Sequence, residues 1–133
     1  MNRFRTLLLV YLFFVLLKII LSFFVVTPTI YSDEYIYSKL ARGVWESFEY
    51  TVHEIPLNSY PPLYPMILSV AYIFQDMSIS YMVMKMMNAV LSSLIIFPVY
   101  AFARQFFTIS ESVPLAIIAG LLPPFFAFTP YIM

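Results

Sequence analysis

A chain of 133 residues is ordinarily one small domain, but 62% hydrophobic residues, 11% charged residues and a mean hydropathy of +0.89 lie outside the soluble globular range. The composition indicates an integral membrane protein. A formal net charge of zero without a basic patch offers nucleic acid nothing to bind, and the absence of cysteine excludes disulfides and thiolate metal sites.

Residues 6–26, TLLLVYLFFVLLKIILSFFVV, are apolar apart from Lys18, Thr6 and Ser22. As a helix they would be about 30 Å long, enough to cross a bilayer. A cleaved signal peptide is the competing reading, because Arg3 and Arg5 form a basic leading region. The apolar run is too long for that, and no small-x-small cleavage site follows it. Arg3, Arg5 and Arg104 favour a cytoplasmic N-terminus and an extracytoplasmic loop over residues 27–78, with Lys39 and Arg42 pulling the other way. Lys18 would sit about 12 Å below the outer end of its span, too deep to snorkel, so it is expected to face the interior and pair there.

Six of the seven acidic residues, the only histidine and the only tryptophan fall within the outer loop. Ser32 is placed to cap a helix running from Asp33 to about Gly43, where a left-handed glycine would end it. On a helical wheel Ile36, Leu40 and Val44 share one side with Tyr37 and Ala41, and Lys39, Arg42 and Glu46 oppose them. Such a helix would lie flat on the membrane surface, and the same wheel turns Asp33 inward. Residues 46–59 read as irregular. Tyr60-Pro61-Pro62-Leu63-Tyr64-Pro65 then suits a helix start, since the missing N–H groups would lack partners there anyway. The run 66–74 is too short to span and predicts a second interfacial or re-entrant helix ending at Gln75-Asp76.

A second span is expected over 79–102, with Lys85 and Asn88 in its outer third and Pro98 as a kink. Residues 104–112 form a cytoplasmic turn, and Ser110 with Glu111 would cap a third span from Val113 to Met133. That span holds Pro114, Gly120, Pro123, Pro124 and Pro130, so neighbouring helices or waters must satisfy its freed backbone groups. The expectation is an all-α, multi-pass transmembrane protein of three spans (about 6–26, 79–102 and 113–133), with two amphipathic surface helices in the outer loop. Such a broken last span suggests the N-terminal module of a larger protein.

Acids in the first turn of a helix, such as Asp33 and Glu34, stabilise it by about 0.3–1 kcal/mol through the macrodipole. A carboxylate turned toward an apolar side costs several kcal/mol unless partnered, which makes Asp33 the first candidate for chemistry and Glu34 the second. His53-Glu54 lacks the spacing that puts two ligands on one helical face; the pair reads as solvated loop and no metal site is assigned. Lys18 and Lys85 are candidates for holding a lipid phosphate near the outer surface. The methionines and tyrosines read as packing and interface-belt residues.

Ser32-Asp33-Glu34-Tyr35 opening a surface helix, the helix through Gly43, and Tyr60-Pro61-Pro62-Leu63-Tyr64 opening the next, set between a long first span and a kinked second, resemble the N-terminal part of GT-C fold glycosyltransferases. The nearest group is that of the protein O-mannosyltransferases and the lipid A aminoarabinose transferases, and the resemblance covers essentially the whole chain. It implies a polyprenyl-phosphate sugar as donor, inverting displacement at the anomeric carbon, and an acceptor that is a protein, glycan or lipid. It also implies that Asp33 acts at the transfer centre with Glu34 beside it. In some branches of the fold the loop acids instead bind a divalent metal. Two other classes stay open: a transporter or channel fragment with Lys18 and Lys85 lining a pathway, and a small non-catalytic membrane subunit.

Overall fold

The computed structural model describes residues 3–25, 32–53, 55–57 and 59–126 and is mostly helical. Contacts divide the chain into two units, and the division falls inside one helix, between Met87 and Asn88.

The first unit contains α1 (Arg3–Phe23), the end of α4 (Met77–Ser93), α5 (Ile96–Ala103), α6 (Ile109–Leu121) and the short α7 (Pro123–Phe126). Along α1, Leu7, Phe14, Lys18 and Ser22 are buried, a spacing of seven, four and four that keeps them on one helical face. Leu7 and Phe14 join Ile96 and Ala116 in a core. The other sides of α1 expose Phe4, Leu9, Phe13, Leu16 and Ile20, a continuous apolar surface that suits lipid better than water. Gly120 lets Phe14 lie against the backbone of α6: a Cβ there would stand 3.1 Å from the ring.

Two helices, Phe4–Phe23 and Met77–Ala103, are long and apolar enough to cross a bilayer. The second is α4 and α5 joined through a break at Leu94 and Ile95, four and three residues before Pro98. Pro98 has no N–H to give the Leu94 carbonyl, and its ring crowds that carbonyl, which instead accepts from the Phe97 N–H at 3.1 Å. The expected kink is therefore present, one turn upstream of the proline. The expected third span begins earlier than Val113. Thr108, and not Ser110, caps α6, because Thr108-Ile-Ser-Glu111 forms a reciprocal capping box in which the Glu111 carboxylate accepts from the Thr108 N–H at 2.9 Å. Thirteen residues give α6 a length of about 20 Å, short of a bilayer, and the helix breaks at Leu122 before α7. Residues 127–133 of the expected span, Pro130 among them, lie outside the described set, as do Val26 and Glu54.

In the second unit α2 (Ser32–Ser47) packs on α3 (Leu63–Ser69), which continues as a 3-10 turn (Val70–Ile73), and the start of α4 completes the core. Ala41, Leu68, Ala71, Tyr81 and Met84 form that core. The proline start is as expected, with Pro62 at the N-cap and Pro65 buried in the first turn of α3. Asp76 begins the next helix rather than simply ending this one: its side chain accepts from the N–H groups of Ser78 and Ile79 at 2.8 and 3.1 Å. Between α2 and α3, the stretch read as irregular contains a small antiparallel hairpin, β1 (Thr51–Val52) and β2 (Ile55–Pro56), with Thr51 opposite Pro56 and Val52 opposite Ile55. The fold is thus not purely helical.

Gly43 does not end α2. The helix runs on to Ser47, and Phe48 takes the left-handed position, φ 57°, in a closing motif where the Phe48 N–H bonds the Val44 carbonyl and the Glu49 N–H bonds that of Gly43. The glycine is needed because the chain turns back across it: a Cβ on Gly43 would lie 2.8 Å from the Glu49 carbonyl oxygen. Overpacking of this kind costs about 1–3 kcal/mol, against roughly 1 kcal/mol gained from alanine's helix propensity. Gly43→Ala should therefore lower the thermal midpoint of helix loss, read by circular dichroism in detergent. An unchanged or raised midpoint would contradict this packing.

Candidate active site

The inward turn of Asp33 expected from the wheel is corrected by the structure. Asp33 is exposed, and its neighbour Glu34 is fully buried, at 0% exposure. The buried arc of α2 runs from Leu40 through Ala41 and Ser38 to Glu34, so of the line through Ile36, Leu40 and Val44 only Leu40 is enclosed and the arc reaches further round to Glu34. Small side chains let α2 and α3 approach closely, so the contact centres on Ser38 and Ala41, and the larger Ile36 and Val44 stay half-buried at its edge. The apolar side of α2 is therefore partly occupied by α3, with Ile36 and Val44 left at the edge of the contact.

Asp33 stands in the first turn of α2, where the helix dipole favours an anion. The Tyr60 hydroxyl donates to Asp33 Oδ1 at 3.1 Å. Tyr60 is held in turn from below: the Tyr50 hydroxyl donates to the carbonyls of Tyr60 and Pro61 at 3.0 and 3.2 Å. One turn along α2 from Asp33, the Tyr37 ring meets Tyr60 and Tyr64 edge to face, with centroids 5.3 and 5.0 Å apart. Burial first, and the Asp33 charge second, hold the Tyr37 phenol above its ordinary range. The Tyr60 phenol is likewise raised, by loss of hydration and then by its bond to Asp33. Both phenols keep their protons at neutral pH, so Tyr60 is a donor and Asp33 an acceptor. Among the described residues no donor meets Asp33 Oδ2, which is left to solvent.

Glu34 lies on the interior side, within electrostatic reach of Lys85 and Tyr81. Glu34 and Lys85 are thus both buried in the second unit, with charges that favour each other. Lys85 is 7% exposed and Lys18 1%; the Lys18 ammonium, in the first unit, donates to the Ser92 hydroxyl at 3.0 Å. Lys18 faces inward and is partnered, as expected. Buried among protein groups, neither lysine stands in solvent where a lipid phosphate would approach. Ser32, the expected cap, has its side chain outside the described set.

On the far side of α2, the Tyr35 hydroxyl and His53 Nε2 are 2.8 Å apart, and the Lys39 ammonium lies 5.6 Å from the Tyr35 ring centre. Among the described residues no group of three or more His, Asp or Glu side chains could hold a metal ion. Asp33 and Glu34 are consecutive on α2 and so project about 100° apart, one exposed and one buried, which does not suit them as joint ligands of one cation. The roles of Tyr60 and Tyr50 were not found from sequence. The Tyr60-Pro-Pro-Leu-Tyr motif pointed to a helix start, and nothing in its spacing said which residue of α2 it would touch.

No family model, no curated protein and no solved structure matches this chain.

Proposed function

We propose that this chain is the N-terminal module of a membrane glycosyltransferase that moves a sugar from a polyprenyl-phosphate donor to an acceptor at the extracytoplasmic face of the cell membrane, the chain crossing that membrane through α1 and through the α4–α5 helix. The observation that carries this reading is the hydrogen bond from Tyr60 to Asp33. It joins the two stretches on which the resemblance rests, 27 residues apart, and leaves a carboxylate oxygen open to solvent. Asp33 Oδ2 takes the proton of the acceptor hydroxyl as its oxygen attacks the anomeric carbon. The bond from that carbon to the phosphate oxygen breaks, and the lipid phosphate leaves with the electron pair. Tyr60 fixes the carboxylate without supplying a proton of its own.

The test is transfer of a radiolabelled sugar from a polyprenyl-phosphate donor in membranes containing the complete protein. Labelled product supports the reading. Correctly inserted protein that transfers no sugar from any of several such donors would sink it. A solute flux abolished by Lys18→Ala, without any glycosylated product, would support the transporter reading in its place.

A further inference from the structure

A cavity of about 330 Å³ opens beside the C-terminal half of α2. Its lining on α2 starts at Arg42, about 14 Å along the helix from Asp33, which separates it from the proposed transfer site. The volume is that of a small-molecule pocket. Arg42, Trp45 and Glu46 form one wall, Tyr72 and Phe74 another, and Met77, the first residue of α4, closes the end.

Arg42 Nε donates to Glu46 Oε1 at 2.7 Å. Among the described residues the two terminal guanidinium nitrogens and Glu46 Oε2 have no protein partner, so two residues of the lining carry open donors and an open anionic acceptor. The Tyr72 hydroxyl is spent on the Ser38 carbonyl at 2.8 Å, so this residue offers its ring. Burial pushes that phenol up to about 12, so it is never a charged group in use. A guanidinium binds phosphate through paired N–H groups, and a carboxylate with aromatic faces binds an ammonium. The wall carries one charge of each sign, which favours a ligand bearing both over a simple anion. The position agrees: α4 opens an apolar stretch of bilayer length at Met77, and headgroups lie at the ends of such stretches, where tryptophan and tyrosine also collect.

We propose that this cavity binds the headgroup of a zwitterionic phospholipid, its phosphate on Arg42 and its ammonium between Glu46 and the rings of Trp45 and Tyr72. The proposal rests on Met77 lying at headgroup level and is independent of sugar transfer. Trp45 is the only tryptophan in the chain, so its fluorescence reports this cavity alone. The test uses the full chain in polyoxyethylene detergent, which carries neither charge nor sugar. Dihexanoyl phosphatidylcholine, dihexanoyl phosphatidylglycerol with the same acyl chains, and maltose are each titrated in. Phosphatidylcholine should shift Trp45 emission saturably, with an apparent Kd about tenfold or more below that of phosphatidylglycerol, and maltose should do nothing. Arg42→Ala should abolish the saturable response, and Glu46→Gln should remove the preference between the two lipids. Both side chains are exposed, and unchanged helix content by circular dichroism confirms the fold of each variant. Equal responses to the two lipids in the unsubstituted chain would overturn the proposal as simple partition. A response to maltose would overturn it in favour of a saccharide site. None of these readings depends on whether the protein transfers sugar.

Discussion

Asp33→Asn should lower sugar transfer by the complete protein about 10²- to 10⁴-fold, with insertion, abundance and donor binding unchanged. The substitution keeps the size of the side chain and leaves an oxygen for the Tyr60 hydroxyl to meet, so the geometry of the first turn survives. What it removes is the group that accepts the proton. Because Asp33 is exposed, its replacement leaves no buried group stranded, and a structural explanation for lost activity would have to show itself as lost helix content. Tyr60→Phe should be milder, since the carboxylate remains and only its orientation is freed. Single-turnover transfer in membranes, with donor binding measured separately, distinguishes these effects. Undiminished transfer by the asparagine variant would remove Asp33 from the mechanism.

Lys85→Met should be the most damaging single change to the stability of the second unit, by about 3–5 kcal/mol. Glu34 has no exposure, and the ammonium of Lys85 is the favourable charge acting on it. Taking that charge away leaves a carboxylate in the interior without its cation, at a far greater cost than the packing lost with the lysine stem. Pairing the change with Glu34→Gln, which removes the other charge, should recover much of the loss. Denaturant unfolding of the helix signal in detergent measures both. A single variant that loses less than about 1 kcal/mol, or a double variant no better than the single, would show that the two charges do not support each other.

Helix positions were legible in the sequence because they depend on long apolar runs and on backbone chemistry that needs no partner. The apolar length of α1, the proline start of α3 and the break before Pro98 all follow from local rules, and Lys18 turned inward because nothing in a bilayer would hold it outward. The rotation of α2 was not legible. Judged by bulk, Ile36, Leu40 and Val44 define its apolar side, and Leu40 is fully buried as that predicts, but the small Ala41 and Ser38 let the buried arc extend round to Glu34. That extension carries Glu34 into the interior, while Asp33, in the first turn of the helix, stays exposed. Gly43 shows the same limit, since its lack of a side chain serves a segment six residues further on, Glu49, and not the end of a helix. The hairpin at 51–56 escaped notice because its strands are two residues long, too short for an alternating pattern.

Everything assigned to Asp33 depends on that rotation, and the chain's lack of cysteine allows it to be measured directly. Single cysteines at Asp33 and at Ser38, which is buried on the seam with α3, would be exposed to a membrane-impermeant maleimide added to the extracytoplasmic side of intact cells. Cysteine at 33 should label rapidly, and cysteine at 38, close in size to the serine it replaces, should label at least tenfold more slowly until the protein is unfolded. A protected position 33 with an open position 38 would restore the rotation drawn from bulk alone and contradict the site described above.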